Sequence, residues 1–255
     1  MAIPGFTDSD LLDLWEGGSR RHPLDRALLL YSWAYPQQPR ETLADLPLGT
    51  IQRALLALRS NLFGPRIEAW QDCPACGSRQ EIQLDASELL SELPDEHQPL
   101  SIRVLEHNLR LPCSRDLAAL IEQPDPQLAA RQLLKRCLLS SPSADSLAAA
   151  EAVAEAVAEA VAASMNEEQL AAVEAALEAA DPAADIALKL NCSDCGQPWS
   201  TSLDISGLLW GEITARAQAL LLEIHQLARA YGWGEPQILA IPAWRRAAYL
   251  NLVAP

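Results

Sequence analysis

Histidine is scarce and scattered. His22, His97, His107 and His225 lie far apart and form no visible constellation. The chain also lacks a P-loop, a dinucleotide fingerprint, a His-Glu-x-x-His motif and a nucleophile elbow, so no signature of an enzyme is present. Basic residues are few: 19 Lys and Arg against 34 Asp and Glu give a formal charge of −15. Binding to a phosphate backbone rests on basic patches that release counterions, and this balance opposes it while leaving room for a local basic spot. No run approaches the roughly 18 uninterrupted apolar residues of a membrane span. The stretch Met1–Asp8 has neither a basic region nor an apolar run, so no signal peptide is expected. Cytoplasmic residence, with reduced cysteines, is the corresponding expectation. Hydrophobic residues nevertheless make up 49% of 255 positions, enough to bury a sizeable core in one elaborated domain or two.

Against this background two short stretches stand out. Cys73-Pro74-Ala75-Cys76-Gly77 and Cys192-Ser193-Asp194-Cys195-Gly196 are both Cys-x-x-Cys pairs followed by glycine. Two thiolates on a tight turn grip one side of a tetrahedral Zn²⁺, and a second such turn completes it. The glycine accepts the positive φ that such a turn needs. The pairs are separated by 115 residues, where a compact ribbon has about 15–20. The spacing predicts a split site in which Cys73, Cys76, Cys192 and Cys195 hold one structural Zn²⁺. Four thiolates leave no position for an activated water. A redox motif or disulfides are the alternatives, but redox cysteines sit at helix N-termini. Here Gln80–Asp85 and Trp199–Leu203, which follow the knuckles, alternate as strands do. Cys137 lies on a helical pattern that would bury it, Cys113 falls in a Leu-Pro-Cys-Ser turn, and neither is needed for the site.

The rest of the pattern is mainly α with a small β zinc-ribbon-like core, an α+β arrangement. Residues 1–70 read as helical: a short helix over 8–18 ended by Gly17-Gly18, a second opened by Pro23, a third from about Leu48 to Leu62. Residues 71–113 and 183–205 make the split ribbon. Within it the pattern gives a strand at 80–85, a helical turn at 87–90, a loop at 94–96 and two strands, 100–105 and 108–111, about Glu106-His107. His107 is expected to be an exposed turn residue. Residues 114–182 form a helical, alanine-rich insertion: a helix capped by Ser114, one over 127–139, a four-residue Ala/Val/Glu repeat over 148–161, and one capped by Asn166. As a docking hairpin it would serve a partner; as a spacer it would be solvated. The low-complexity surface favours a mostly structural role. Residues 206–255 are helical, with Ile213, Ala217, Leu220, Ile224 and Leu227 on the inner face of a long helix and proline-opened helices after it. Trp233, Trp244, Arg245, Arg246 and Tyr249 near the C-terminus compose either a small helical core or a partner-binding tip, since Trp, Tyr and Arg anchor interfaces.

Three segments carry a family resemblance: Leu24-Asp25-Arg26-Ala27-Leu28-Leu29-Leu30; Asn61-Leu62-Phe63-Gly64-Pro65 before the first knuckle; and Tyr231-Gly232-Trp233-Gly234-Glu235-Pro236 leading to Trp244-Arg245-Arg246-Ala247-Ala248-Tyr249-Leu250. Over the first 112 and last 70 residues the chain resembles the baseplate-associated proteins of contractile phage tails and phage-tail-like injection systems. It is similar to the hub-assembly proteins of T-even phages. The resemblance implies a non-enzymatic structural or assembly (chaperone-like) protein that contacts other baseplate or tail proteins, without a small-molecule substrate. It leaves the metal to be argued from this sequence. The alternative is a nucleic-acid-binding zinc-ribbon protein, for which only Arg79 and Lys189 lie near the knuckles.

Overall fold

The computed structural model describes residues 6–94, 101–139 and 147–253. The chain divides into two compact units, one from Met1–Leu30 with Ile205–Pro255 and the other from Tyr31–Asp204. Predominantly helical, it carries three small antiparallel sheets among the described residues. The loop expected at 94–96 and the strand start at Leu100 fall largely outside those residues.

In the first unit, helix α1 (Asp8–Gly18) begins at Thr7, whose side chain and that of Asp10 cap each other's backbone N–H groups. It ends at Gly18, over the span its pattern suggests. Gly18 is needed for space: a Cβ there would lie 2.3 Å from the Trp210 ring. Helix α2 (Pro23–Ala34) starts in this unit. Helix α9 (Ile205–Tyr231) is its spine, because Ile205, Leu209, Ile213, Ala217, Leu220, Ile224 and Leu227 form one buried stripe at helical spacing. Helices α1, α10 (Glu235–Leu239) and α11 (Ala243–Val253) pack on α9. A charged network crosses the packing. Arg246 donates to Asp8, to Glu223 (3.2 Å) and to the Ile241 carbonyl (2.8 Å), and Arg216 pairs with Asp8 (3.6 Å) and Glu223 (3.3 Å).

The second unit opens with a 3-10 turn, Arg40–Asp45, and helix α3 (Leu48–Phe63), ended by Gly64 at φ +89°. Strand β1 (Arg66–Asp72) follows at once, so the last residues of the stretch expected to be helical are already sheet. It pairs with β2 (Arg79–Asp85), register Arg66↔Asp85 to Asp72↔Arg79. Asp85 then caps α4 (Ala86–Glu92). Strands β3 (Ile102–Val104) and β4 (His107–Leu109) turn at Leu105, whose φ is +54°. His107 therefore belongs to a strand, half-buried opposite Val104, and not to the turn.

Helix α5 (Ser114–Ala118) is capped at Cys113 rather than Ser114. Asp125 caps α6 (Pro126–Cys137), which ends two residues earlier than its pattern suggests. The next two residues form β5 (Leu138–Leu139) and pair with β4, a backbone demand that overrides helical propensity. Helices α7 (Leu147–Ser164) and α8 (Glu167–Ala180) are joined at Asn166, which caps α8 reciprocally with Gln169. Strands β6 (Ala187–Asn191) and β7 (Pro198–Ser202) close the unit.

The alanine-rich insertion is not a freely solvated spacer. Ala162, Met165 and Val173 share a buried core with Val104, Leu109, Leu134 and Cys137. Just past α8, the buried Asp181 accepts a hydrogen bond from the Gly49 N–H (2.9 Å). A carboxylate there meets the positive end of the α3 dipole.

Asp116 is the other buried carboxylate among the described residues of this unit, with a side chain 0% exposed. It accepts two bonds from Arg110 (2.6 and 2.8 Å), one from Arg136 (2.8 Å), and bonds from the Cys113 N–H (3.0 Å) and thiol (3.1 Å). Burial alone would raise its carboxyl, but Arg110 and Cys113 hold it well below the usual carboxylate range. Burial pushes the neighbouring Cys137 thiol up to about 12, so it stays protonated. Asp116→Ala leaves both arginines without their acceptor and should cost about 3 kcal/mol, the lower end for a broken buried pair because both cations are partly exposed. Since the folded carboxyl is the more acidic one, its contribution is complete above the unfolded value of about 3.9 and is lost as pH falls below it. Urea unfolding between pH 7 and 3 should show that acid loss in the native chain and a flatter limb in Asp116→Asn.

Candidate metal centre

Each knuckle is the tip of an antiparallel hairpin, β1–β2 for the first and β6–β7 for the second. The two tips use the same backbone bonds. The Cys73 N–H donates to the Ser78 carbonyl (2.9 Å) and the Gly77 N–H to the Cys73 carbonyl (2.8 Å). The Cys192 N–H donates to the Gln197 carbonyl (3.0 Å) and the Gly196 N–H to the Cys192 carbonyl (3.0 Å). Gly77 and Gly196 stand at φ +72° and +71°. These bonds aim both sulfurs of a tip to the same side.

The tips meet. Cys73 Sγ lies 3.7 Å from Cys195 Sγ and Cys76 Sγ 3.6 Å from Cys192 Sγ. All four sulfurs fall within 4.8 Å of one another. The close approaches run between knuckles, and the sulfurs are free thiols rather than disulfides. Cys73 and Cys192 are buried, Cys76 and Cys195 exposed. None sits at a helix N-terminus. The arrangement can hold a metal ion.

The protonation of the cluster shows why a cation suits it. The N–H groups of Cys195 and Asp194 aim at the Cys192 sulfur and, against burial, lower its pKa to about 7. The Ser78 N–H acts the same way on Cys76, yet the surrounding thiols of Cys195, Cys192 and Cys73 outweigh it and push Cys76 up to about 12. Cys195 is raised as well: the Gln197 N–H works against the rise, and burial and the Cys192 sulfur prevail. Four sulfurs at this separation do not all ionise unaided; a divalent cation removes the repulsion that keeps some of them protonated.

A polar seam, which the cysteine pattern alone did not reveal, joins the tips beside the sulfurs. Gln80 Oε1 accepts from the Ser193 N–H (2.9 Å) and hydroxyl (2.8 Å), and Ser78 donates its hydroxyl to Asp194. Ser78, Ser193 and Asp194 are ordinary turn residues by sequence, so their pairing across the knuckles becomes visible only once the tips are brought together. Of the two cations that border the knuckles in sequence, Arg79 pairs with Asp72 (3.0 Å) and Lys189 is exposed on β6, opposite Ser200.

The C-terminal residues singled out from sequence separate into three settings. Trp233 stacks on Tyr231 (4.5 Å) and meets Tyr249 edge-on (5.0 Å), so both Trp233 and Tyr249 are half-buried in an aromatic cluster joining the end of α9 to α11. Arg246, 1% exposed, is the buried centre of the charge network and does not reach solvent. Trp244 is 74% exposed, with the Arg245 guanidinium 5.8 Å from its ring centre. Of the histidines, His22 and His225 are exposed in separate places, His107 is in β4, and His97 lies outside the described residues.

Fold and site together define a mainly α protein that carries a split, four-cysteine ribbon. Residues 34–209 match the family described as T4 bacteriophage base plate protein, and the chain belongs to that family. Comparison with curated proteins and with solved structures finds no match. The matched segment includes both knuckles and residues 114–182, which the sequence resemblance had left out, and it does not include the C-terminal motif at 231–250. Other baseplate proteins are thus its implied partners. No described helix is long and apolar enough to cross a membrane.

The matched glycines offer a direct check on the knuckle geometry. A Cβ at Gly77 or Gly196 would touch nothing within 4 Å, so a substitution there meets only backbone strain. Gly77→Ala and Gly196→Ala should each cost about 1–2 kcal/mol, and Gly77→Asn less, measured by chemical denaturation.

Proposed function

We propose that this protein is a non-enzymatic structural or assembly factor, chaperone-like, of a contractile phage-tail-like machine, and that one structural Zn²⁺ bound by Cys73, Cys76, Cys192 and Cys195 staples its ribbon. The observation that carries the metal part is the convergence of four sulfurs from two hairpins 115 residues apart. Zn–S bonds of about 2.3 Å in a tetrahedron give sulfur–sulfur edges of about 3.8 Å, close to the 3.6 and 3.7 Å between the knuckles. An all-thiol donor set suits zinc and closes the coordination sphere, so the ion's chemistry is to hold the hairpins together. Membership in the baseplate family supports the assembly part. The exposed Trp244 with Arg245 supplies a contact of the kind that anchors protein interfaces. The nucleic-acid reading gains nothing from the ribbon surface, where Arg79 is already paired with Asp72, or from a chain with a formal charge of −15.

Metal analysis by mass spectrometry on the native chain should give one zinc per molecule. Cys73→Ser and Cys192→Ser should each lose it and unfold at lower temperature, since a structural site contributes folding free energy; Cys113→Ser should keep it. Zinc retained in full by both knuckle variants would sink the staple. For the assembly role, the chain should co-purify with baseplate proteins encoded beside it. Trp244→Ala should weaken that association by about 2 kcal/mol, roughly thirtyfold, while leaving the fold intact. A tail-like particle that assembles normally without the protein would reject the role.

A further inference from the structure

Between α6 and α8 in the second unit lies an open groove of about 310 Å³. Its floor is Leu134 and Val173, each 4% exposed, and its walls are Leu133, Leu170 and Leu177, each left half-exposed. On α8 the apolar positions 170, 173 and 177 follow helical spacing, which makes a stripe about 10 Å long at 1.5 Å per residue. Apolar side chains in such a row remain partly wet because nothing in the described chain covers them.

The rim is acidic throughout. Glu174, Glu178 and Asp185 border the groove, are exposed, and make no ion pair among the described residues. Asp181 also lines the groove but is buried and bonded to Gly49. The sequence here has one sign only: between Arg136 and Lys189 there are ten Asp and Glu and no Lys, Arg or His. An apolar row bordered by uncompensated carboxylates is complementary to one kind of surface, an apolar stripe flanked by cations. A second copy of the same groove would bring carboxylates against carboxylates.

We propose that the α6–α8 groove is a docking site for an amphipathic helix of a partner protein, its apolar stripe flanked by lysine or arginine. That the partner is a baseplate protein rests on the assembly reading above; the chemistry of the groove does not.

The test uses the full chain and a defined probe. A fluorescein-labelled peptide of leucine and lysine, with leucines at helical i, i+3, i+4, i+7 spacing and a benzophenone in its apolar stripe, is titrated by fluorescence anisotropy. A scrambled peptide of the same composition is the control for charge. Glu174→Lys/Glu178→Lys removes the rim, and Glu167→Lys/Glu168→Lys makes the same charge change in the exposed first turn of α8, away from the groove. All four positions are exposed, and circular dichroism verifies that both variants stay folded. The expected result is cross-linking to α6 and α8, affinity at least about tenfold lower for the scrambled peptide, and a loss of about tenfold or more in the rim variant against less than about threefold in the control variant. Equal weakening in the two variants, equal binding of the scrambled peptide, cross-links elsewhere, or no binding would overturn the proposal. So would a concentration-dependent dimer, seen by sedimentation, that the rim variant abolishes, because the groove would then hold a second copy. Peptide binding that survives in a protein dispensable for particle assembly would retain the groove and reject the assembly reading alone; the reverse pattern would do the opposite.

Discussion

Four sulfurs within 4.8 Å set the terms for the second unit. Thiols crowded in this way favour a cation, and a cation in turn fixes the two hairpins that carry them. The closure spans 115 residues, and the entropy of closing a loop grows only slowly with its length. A long excursion between knuckles is therefore tolerable, provided it folds on itself instead of remaining loose. The excursion here meets that condition through its own core, built from β3, β4, α6, α7 and α8 around Leu109, Leu134 and Cys137.

Two buried carboxylates complete the closure without metal. Asp181 joins the end of the excursion to the start of α3, and Asp116 joins the strand end at Arg110 to α6 through Arg136. Each is satisfied by N–H donors, which is what makes burying it tolerable. The ends of the chain are joined by different means. In the first unit, α1 from the N-terminus and α11 from the C-terminus both pack on α9 and share the charge network of Asp8, Arg216, Glu223 and Arg246. The proposed ion thus closes an internal loop, and helix packing closes the termini.

Much of this was legible in the residues. The paired knuckles, the strands after them, the Asn166 cap and the inner stripe of α9 all follow from spacing and local chemistry, which act over a few residues. What stayed hidden depends on distant partners. Nothing local to Leu138-Leu139 says strand; the edge of β4 decides it. Arg246 reads as a surface cation until Asp8, 238 residues away in sequence, is brought to it by helix packing. Asp181 looks like a helix-ending Asp-Pro and is also a cap for another helix. The Ser78, Gln80, Ser193 and Asp194 seam lay between legible and hidden, since its residues border the knuckles but pair across 113 to 116 positions.

The alanine-rich segment shows how a dull sequence can still be committed to two tasks. Its alanines lower the cost of forming helix and let α7 and α8 approach the core closely, while Glu159, Glu167, Glu168, Glu174 and Glu178 are exposed. Because no cation occurs between Arg136 and Lys189, α7 and α8 cannot neutralise themselves by the i,i+4 pairs that usually decorate an exposed helix, and only Glu159 among their described acids has a cationic partner, Lys135 of α6. Some repulsion between neighbouring carboxylates is consequently built into the folded state. A surface under that repulsion is left with a standing preference for cationic partners, whereas a helix of alternating charge would have satisfied itself. The same composition that makes the segment look uninformative, small residues and acids without a cation among them, is what gives its groove a sign.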